Sequence, residues 1–197
     1  MDCRLIIDAN LLVDHLVETS AAPTAQLVET LLQMSMEDKV TILLPELVID
    51  IECRRAITRM VIVEHITTEE KLEVLVGILR DIREYFQSFN CVIVQSWDSD
   101  ILKRASGIYH RLSKEGEKDY WRARHQDLII WATAEKHNAA ILTCDSDFEK
   151  LWKKLGKLTV YHIACREKRI SAKRLGQLTC PPVEDALVEL GIRIEPG

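Results

Sequence analysis

Three acidic residues stand where apolar runs give out. Leu5-Ile6-Ile7 ends at Asp8, the run Ala139 to Thr143 is followed by Asp145, and Asp127 opens the helical pattern that begins at His125. Carboxylates gathered at strand ends, with few basic residues beside them, form the donor set of a divalent cation. Oxygen ligands suit hard ions and no His/Cys cluster accompanies them, so Mg²⁺ or Mn²⁺ is the expected guest. Without a cation, such a group repels itself, and one or more members stay protonated at neutral pH. Bound ions would polarise a phosphodiester, activate water and stabilise the leaving oxygen. Metal-assisted phosphodiester hydrolysis is the chemistry these residues point to.

The elements that must position them are legible as periodicities. Residues 4–7, 40–44, 91–94, 139–143 and 158–163 read as apolar strands, each separated from the next by helical pattern. Leu27, Val28, Leu31 and Leu32 follow Pro23-Thr24 at helix spacing, and Pro45 is placed to open a helix carrying Glu46, Asp50 and Glu52. Thr67-Thr68-Glu69-Glu70 resembles a capping box before a long apolar stripe from Leu72 to Phe86, and Asp98 or Ser99 caps another helix. The stretch from Lys114 to Arg124 reads as a polar loop, the helix bearing Asp127 as amphipathic, and residues 148–155 as a helix. Beyond Arg166 periodicity weakens, with one short helix expected over residues 183–190. Strands alternating with helices imply a three-layer α/β/α fold whose central sheet, of about five strands, is mainly parallel. Ligands of such sheets gather beyond the carboxyl ends of the strands. Asp8 and Asp145 follow strands at that edge, and Asp50 and Asp127 lie early in helices that begin there.

The 197-residue chain is long enough for one well-buried core. It holds no apolar run near the ~20 residues of a membrane helix, and its N-terminus has no leader pattern, so a cytoplasmic protein with no membrane partner is expected. The cysteines form no CxxC pair and several sit in apolar runs, so reduced core thiols are expected rather than a zinc site or a disulfide framework. A net charge of −5 offers no global attraction for a polyanion, yet nine basic residues and one acidic residue fall between Lys150 and Arg174. That run is either a solvated face or a phosphate-backbone contact.

Four phrases together carry a family resemblance: IIDANLLVD, LLPELVIDIE, HQDLIIWATAEKHNAAILT and TCDSDF, in this order across residues 5–148. The chain resembles PIN-domain proteins, in particular the toxin ribonucleases of toxin–antitoxin pairs. The resemblance implies a nuclease domain over residues 1–163, with residues 164–197 as a C-terminal extension packed on it. It implies endonucleolytic hydrolysis of single-stranded RNA with Mg²⁺ or Mn²⁺ and in-line attack by water. Carried across by position, Asp8, Asp50, Asp127 and Asp145 match the catalytic, metal-binding acids. Asn10, Thr143 and Asp147 match polar positions that support them. The match is loosest at the second acid, where the family has glutamate before an apolar residue. Asp50-Ile51 fits that phrase, and Glu52 and Glu46 stand as substitutes. An antitoxin protein and a second copy of the chain are the partners the resemblance suggests, beside the RNA itself.

Arg122, Arg124, Lys153 and Lys154 are the candidate RNA contacts, with Tyr120 and Trp121 as stacking rings or, equally, as packing for the preceding loop. Two other readings compete. A catalytically inert PIN-like module that binds RNA or protein is expected if Asp50 and Glu52 both face away from the other acids. A phosphatase of the haloacid-dehalogenase type wants a second aspartate two residues after the first, where this chain has Asn10.

Overall fold

The computed structural model describes residues 3–17, 22–63, 69–166 and 169–196. One sheet of seven strands organises them, in the order β3-β2-β1-β4-β5-β6-β7. The chain runs β1 (Arg4–Ile7), α1 (Ala9–Val17), α2 (Pro23–Met36), β2 (Thr41–Pro45), a π-helical segment (Leu47–Cys53) continuing into α3 (Arg54–Val63), then α4 (Glu69–Gln87) and β3 (Val92–Val94). It continues through α5 (Ser99–Ser113), α6 (Lys118–Ala123), α7 (His125–His137), β4 (Ala140–Thr143), α8 (Asp147–Leu155) and β5 (Val160–Arg166), and ends with β6 (Arg169–Leu175), α9 (Pro181–Glu189) and β7 (Arg193–Pro196). The capping-box threonines Thr67 and Thr68, and Lys168 of the basic run, lie outside the described residues.

β1, β2, β3, β4 and β5 pair in parallel. Their sequences follow from burial on both faces: Leu5, Ile6, Ile7, Ile42, Leu44, Ile141 and Leu142 are fully enclosed, so the strands read as unbroken apolar runs. β1 and β4 are adjacent, while the chain leaves β1 for β2 on one side and β4 for β5 on the other. The reversal of strand order therefore falls between them, with Asp8 and Asp145 just beyond their carboxyl ends. This is where an open α/β sheet leaves a crevice.

Several expectations need correction. The sheet has seven strands because β5 turns back into antiparallel β6, and β7 then pairs in parallel with β6. Lys173 and Arg174 obscured the period of β6; in the fold, Arg174 pairs with Glu184 of α9 at 2.6 Å and Lys173 approaches Glu149 at 3.9 Å. α1 begins immediately after Asp8, and Pro45 closes β2 opposite Val94 rather than opening a helix. The polar stretch before Asp127 contains α6, anchored by Trp121, which is wholly buried and donates to Glu117 at 2.7 Å. α7 is not amphipathic: Leu128 through Ala134 are all buried, because the helix lies between the sheet and α5. It stops at Asn138, whose left-handed φ of 50° ends the helical hydrogen bonding.

The cysteines also differ from expectation. Cys3, just before β1, and Cys180, just before α9, are joined as a disulfide with Cα atoms 5.5 Å apart across 177 residues. Both segments start at the edge of the sheet opposite the crevice, which is why sequence distance hid the pair. Cys53 and Cys91 are buried thiols, as expected.

Candidate metal centre

Asp8 is set by the end of β1. It is 5% exposed; its Oδ1 accepts from Ala9 N at 2.8 Å and its Oδ2 from Thr143 Oγ1 at 2.7 Å. Thr143 in turn accepts from Asp145 N at 2.9 Å, so one buried hydroxyl ties the ends of β1 and β4 together. Asp127 enters from the first turn of α7.

The fourth acid comes from the π-helical segment. Hydrogen bonds of i→i+5 type place Glu52 beneath Leu47 and Cys53 beneath Val48, along the inward face. Ordinary α winding would have put Ile51 beneath Leu47, yet Ile51 is 40% exposed. Leu47 itself is pinned by its N–H to Ser96 Oγ at 2.9 Å. Glu52 thereby lines one cleft with Asp8, Asp127 and Asp145, a cavity of about 1170 Å³. Asn10 and Asp147 line it as well.

Asp50 is elsewhere. Arg83 of α4 donates to it with Nε at 3.0 Å and with Nη2, and reaches Glu46 at 3.1 Å with the same Nη2. Arg54 adds a longer approach at 3.9 Å. Glu46 and Asp50 do share a face, but that face belongs to the contact with α4. The structure brings Asp8, Asp127 and Asp145 together, leaves Asp50 outside the cleft, and has Glu52 line it.

Electrostatics show how strained this group is as anions. Burial first, then repulsion from Asp8, Asp127 and Asp145, raises Glu52 to about 8. Burial, then Asp8, Asp145 and Asp147, raises Asp127 to about 7 against the relief from Arg124. Burial raises Asp8 to about 6 despite the hydrogen bonds from Thr143 and Ala9. Such a group holds protons near neutrality unless a cation replaces them. An all-oxygen donor set of this kind fits Mg²⁺ or Mn²⁺.

Asp127, Asp145 and Asp147 each bring a carboxylate oxygen within 4.8 Å of the others. Asp147 differs from the first two in being already engaged. Its oxygens accept from Tyr120 Oη, from Arg124 Nε and from Lys150 Nζ at 2.7 Å. Burial acts to raise its pKa, but the hydrogen bonds from Lys150, Tyr120 and Arg124 outweigh burial and hold it below the ordinary value. Its N–H donates to Asp145 Oδ1 at 2.8 Å.

The expected RNA contacts are dispersed. Arg124 lines the cleft; Arg122 and Lys153 are exposed away from it; Lys154 is bridged to Glu115 at 2.8 Å and Glu117 at 3.0 Å. Trp121 is enclosed and offers no stacking face. Sequence reasoning missed Arg55 and Arg59 of α3 as cleft residues. The signal available was their spacing of three and seven after Glu52, which keeps them near one helical face.

Comparison with known proteins agrees with this architecture. The family model described as PIN domain matches residues 5–154. Among solved structures, the chain is similar to VapBC2 from Rickettsia felis bound to a DNA fragment from its promoter, with a TM-score of 0.50 and 15% identity over 80% of this chain and 96% of that one. It is also similar to FitAcB from Neisseria gonorrhoeae, with a TM-score of 0.54 and 15% identity over 79% of this chain and 95% of that one. No curated protein sequence matches. With the matched region running from β1 into α8 and enclosing all five acids of the cleft, the chain belongs to the PIN-domain family.

Proposed function

We propose that the protein is a metal-dependent endoribonuclease that hydrolyses phosphodiester bonds of single-stranded RNA. The observation that carries this reading is the convergence of Asp8, Glu52, Asp127 and Asp145 on one cleft at the strand-order reversal. Glu52 faces the other acids, which is the condition the inert-module reading required to fail.

Asp8, Glu52, Asp127 and Asp145 would hold Mg²⁺ or Mn²⁺, which when bound supplies Lewis acidity toward the phosphodiester and lowers the pKa of attacking water. The protein's own part is positional. Thr143 holds Asp8 and the backbone of Asp145 in one frame, so two carboxylates from adjacent strands keep a constant separation. Asn10, exposed at the cleft wall, offers an amide to water or a phosphate oxygen. Arg55 and Arg59 on one side and Arg124 and Lys150 on the other supply positive charge around an acidic floor. That arrangement lets a polyanion approach a group that would otherwise repel it.

We further propose that the chain is the toxin of a toxin–antitoxin pair acting in the cytoplasm, with a small antitoxin protein as partner and a homodimer as its assembly. The fold shared with VapBC2 and FitAcB supports this reading. Among the described residues, no helix is long and apolar enough to cross a membrane. The test is incubation of purified protein with labelled single-stranded RNAs and DNAs in Mn²⁺, Mg²⁺ or chelator. Metal-dependent cleavage of RNA is expected; no cleavage of any substrate with either metal sinks the enzyme reading.

A further inference from the structure

We infer that Asp147 is a positioning residue and not a metal ligand: it holds Arg124 and Lys150 as a paired clamp for a backbone phosphate of single-stranded nucleic acid entering the cleft. This rests on the nuclease reading for its ligand class, and it assigns a role to the one cleft carboxylate that reading leaves unused.

Asp147 is the buried hub of a three-donor network. Tyr120 from α6, Arg124 from the turn before α7 and Lys150 from α8 all converge on its two oxygens. The donors also support each other. The Arg124 guanidinium lies 4.0 Å from the centroid of the Tyr120 ring, Lys150 Nζ lies 4.8 Å from it, and Lys150 donates to Tyr120 Oη at 2.5 Å. Both oxygens are therefore occupied by protein donors, Oδ1 by Tyr120 and Lys150 and Oδ2 by Arg124.

The two cations keep a free side. Arg124 and Lys150 are 39% and 49% exposed while the Asp147 side chain is 8% exposed, and both cations line the same cleft as the four acids. One buried anion against two half-exposed cations leaves this lip net positive. Stacking on Tyr120 and the hydrogen bonds to Asp147 restrain both long side chains, so a phosphate meets donors whose rotamer entropy is already spent. The N–H of Asp147 on Asp145 Oδ1 fixes the clamp at a set distance from the acids. A phosphate held there is registered against them, which is the role of backbone contacts.

The test separates metal binding from strand binding without using cleavage. Mn²⁺ binding is followed by titration calorimetry, and binding of a labelled oligouridylate by anisotropy in chelator, for wild type, Asp147→Asn, Arg124→Met and the double variant. Expected are Mn²⁺ affinity within about twofold of wild type in D147N, and a cost of about tenfold in oligouridylate affinity for R124M in wild type that shrinks to about twofold in the D147N background. A tenfold or greater loss of Mn²⁺ affinity in D147N overturns the inference, as does an equal cost of R124M in both backgrounds. A wild type that binds no oligouridylate overturns it too, whereas a wild type that binds but does not cleave counts against the enzyme reading alone. Should D147N not fold, Tyr120→Phe removes one donor; weaker oligouridylate binding at unchanged Mn²⁺ affinity supports the clamp, and unchanged binding of both overturns it.

Discussion

Asp50 and Arg83 form a two-pronged contact between the π-helical segment and α4, with Arg83 Nε donating to both Asp50 oxygens at 3.1 and 3.0 Å. The same guanidinium reaches Glu46. Arg54, on the turn after Asp50, donates in addition to the Leu79 carbonyl near Asp81, where non-helical φ and ψ of −116° and 27° kink α4.

A division of labour between neighbours follows. Glu52→Gln is expected to lower metal-dependent cleavage by about a hundredfold or more, since it removes one of the four carboxylates, while Asp50→Asn is expected to keep activity within about threefold. Asp50→Asn should instead cost stability, about 0.2–1 kcal/mol for a solvent-accessible pair, read as a lower denaturant midpoint. Equal loss of activity in both variants would contradict the assignment.

The metal-free acids carry a pH signature. Asp8, Glu52 and Asp127 have folded-state pKa values raised to about 6, 8 and 7 by burial and mutual repulsion. A raised acid binds more protons folded than unfolded, so its contribution is full below its unfolded value near 4 and is lost as pH rises through the folded one. In chelator, the melting temperature should therefore fall between about pH 4 and 8. Mn²⁺ should recover most of it, with a larger metal-induced rise at pH 8 than at pH 5.5, measured by thermal shift. A rise independent of pH would argue that these carboxylates are not what the ion meets.

The cleft arginines and the basic run make different predictions. Arg55 and Arg59 are exposed and line the cleft, whereas Lys154 is bridged to Glu115 and Glu117. Replacing both arginines with glutamine is expected to reduce the salt dependence of oligonucleotide binding by a slope of about one or more. Replacing Lys153 and Lys154 should change it little. The reverse ranking would move the binding track toward α8.

Oxidation of Cys3 and Cys180 closes a loop across 177 residues. Reduction is expected to lower stability by about 2–5 kcal/mol, equivalent to a fall in melting temperature of roughly 5–15 °C. Cys180→Ser should melt at the reduced temperature and ignore reductant. A reducing cytoplasm would hold the pair as thiols, so thiol counting on protein purified under alkylating conditions reports the state in cells. No melting difference between oxidised and reduced protein would show the link to be without structural consequence.

Asp8, Asp127, Thr143 and Asp145 were legible from the chain because they are tied to strand ends and a helix start. A continuous apolar run has only one way to lie in a parallel sheet, and the residue after it has only one edge to reach. Which of Asp50, Glu52 and Glu46 turns into the cleft was not legible, because a shift from i→i+4 to i→i+5 bonding leaves no mark on composition yet exchanges Ile51 for Glu52 on the inward face. β6, β7 and the Cys3–Cys180 link were likewise decided by partners distant in sequence, with Glu184 and Glu149 answering the charges that broke the strand period. Local pattern determined which carboxylates stand at the crevice by way of the backbone. Tertiary contact decided how the other acids are engaged, because Arg83 holds Asp50 against α4, and Arg124 and Lys150 pair with Asp147 at the cleft wall.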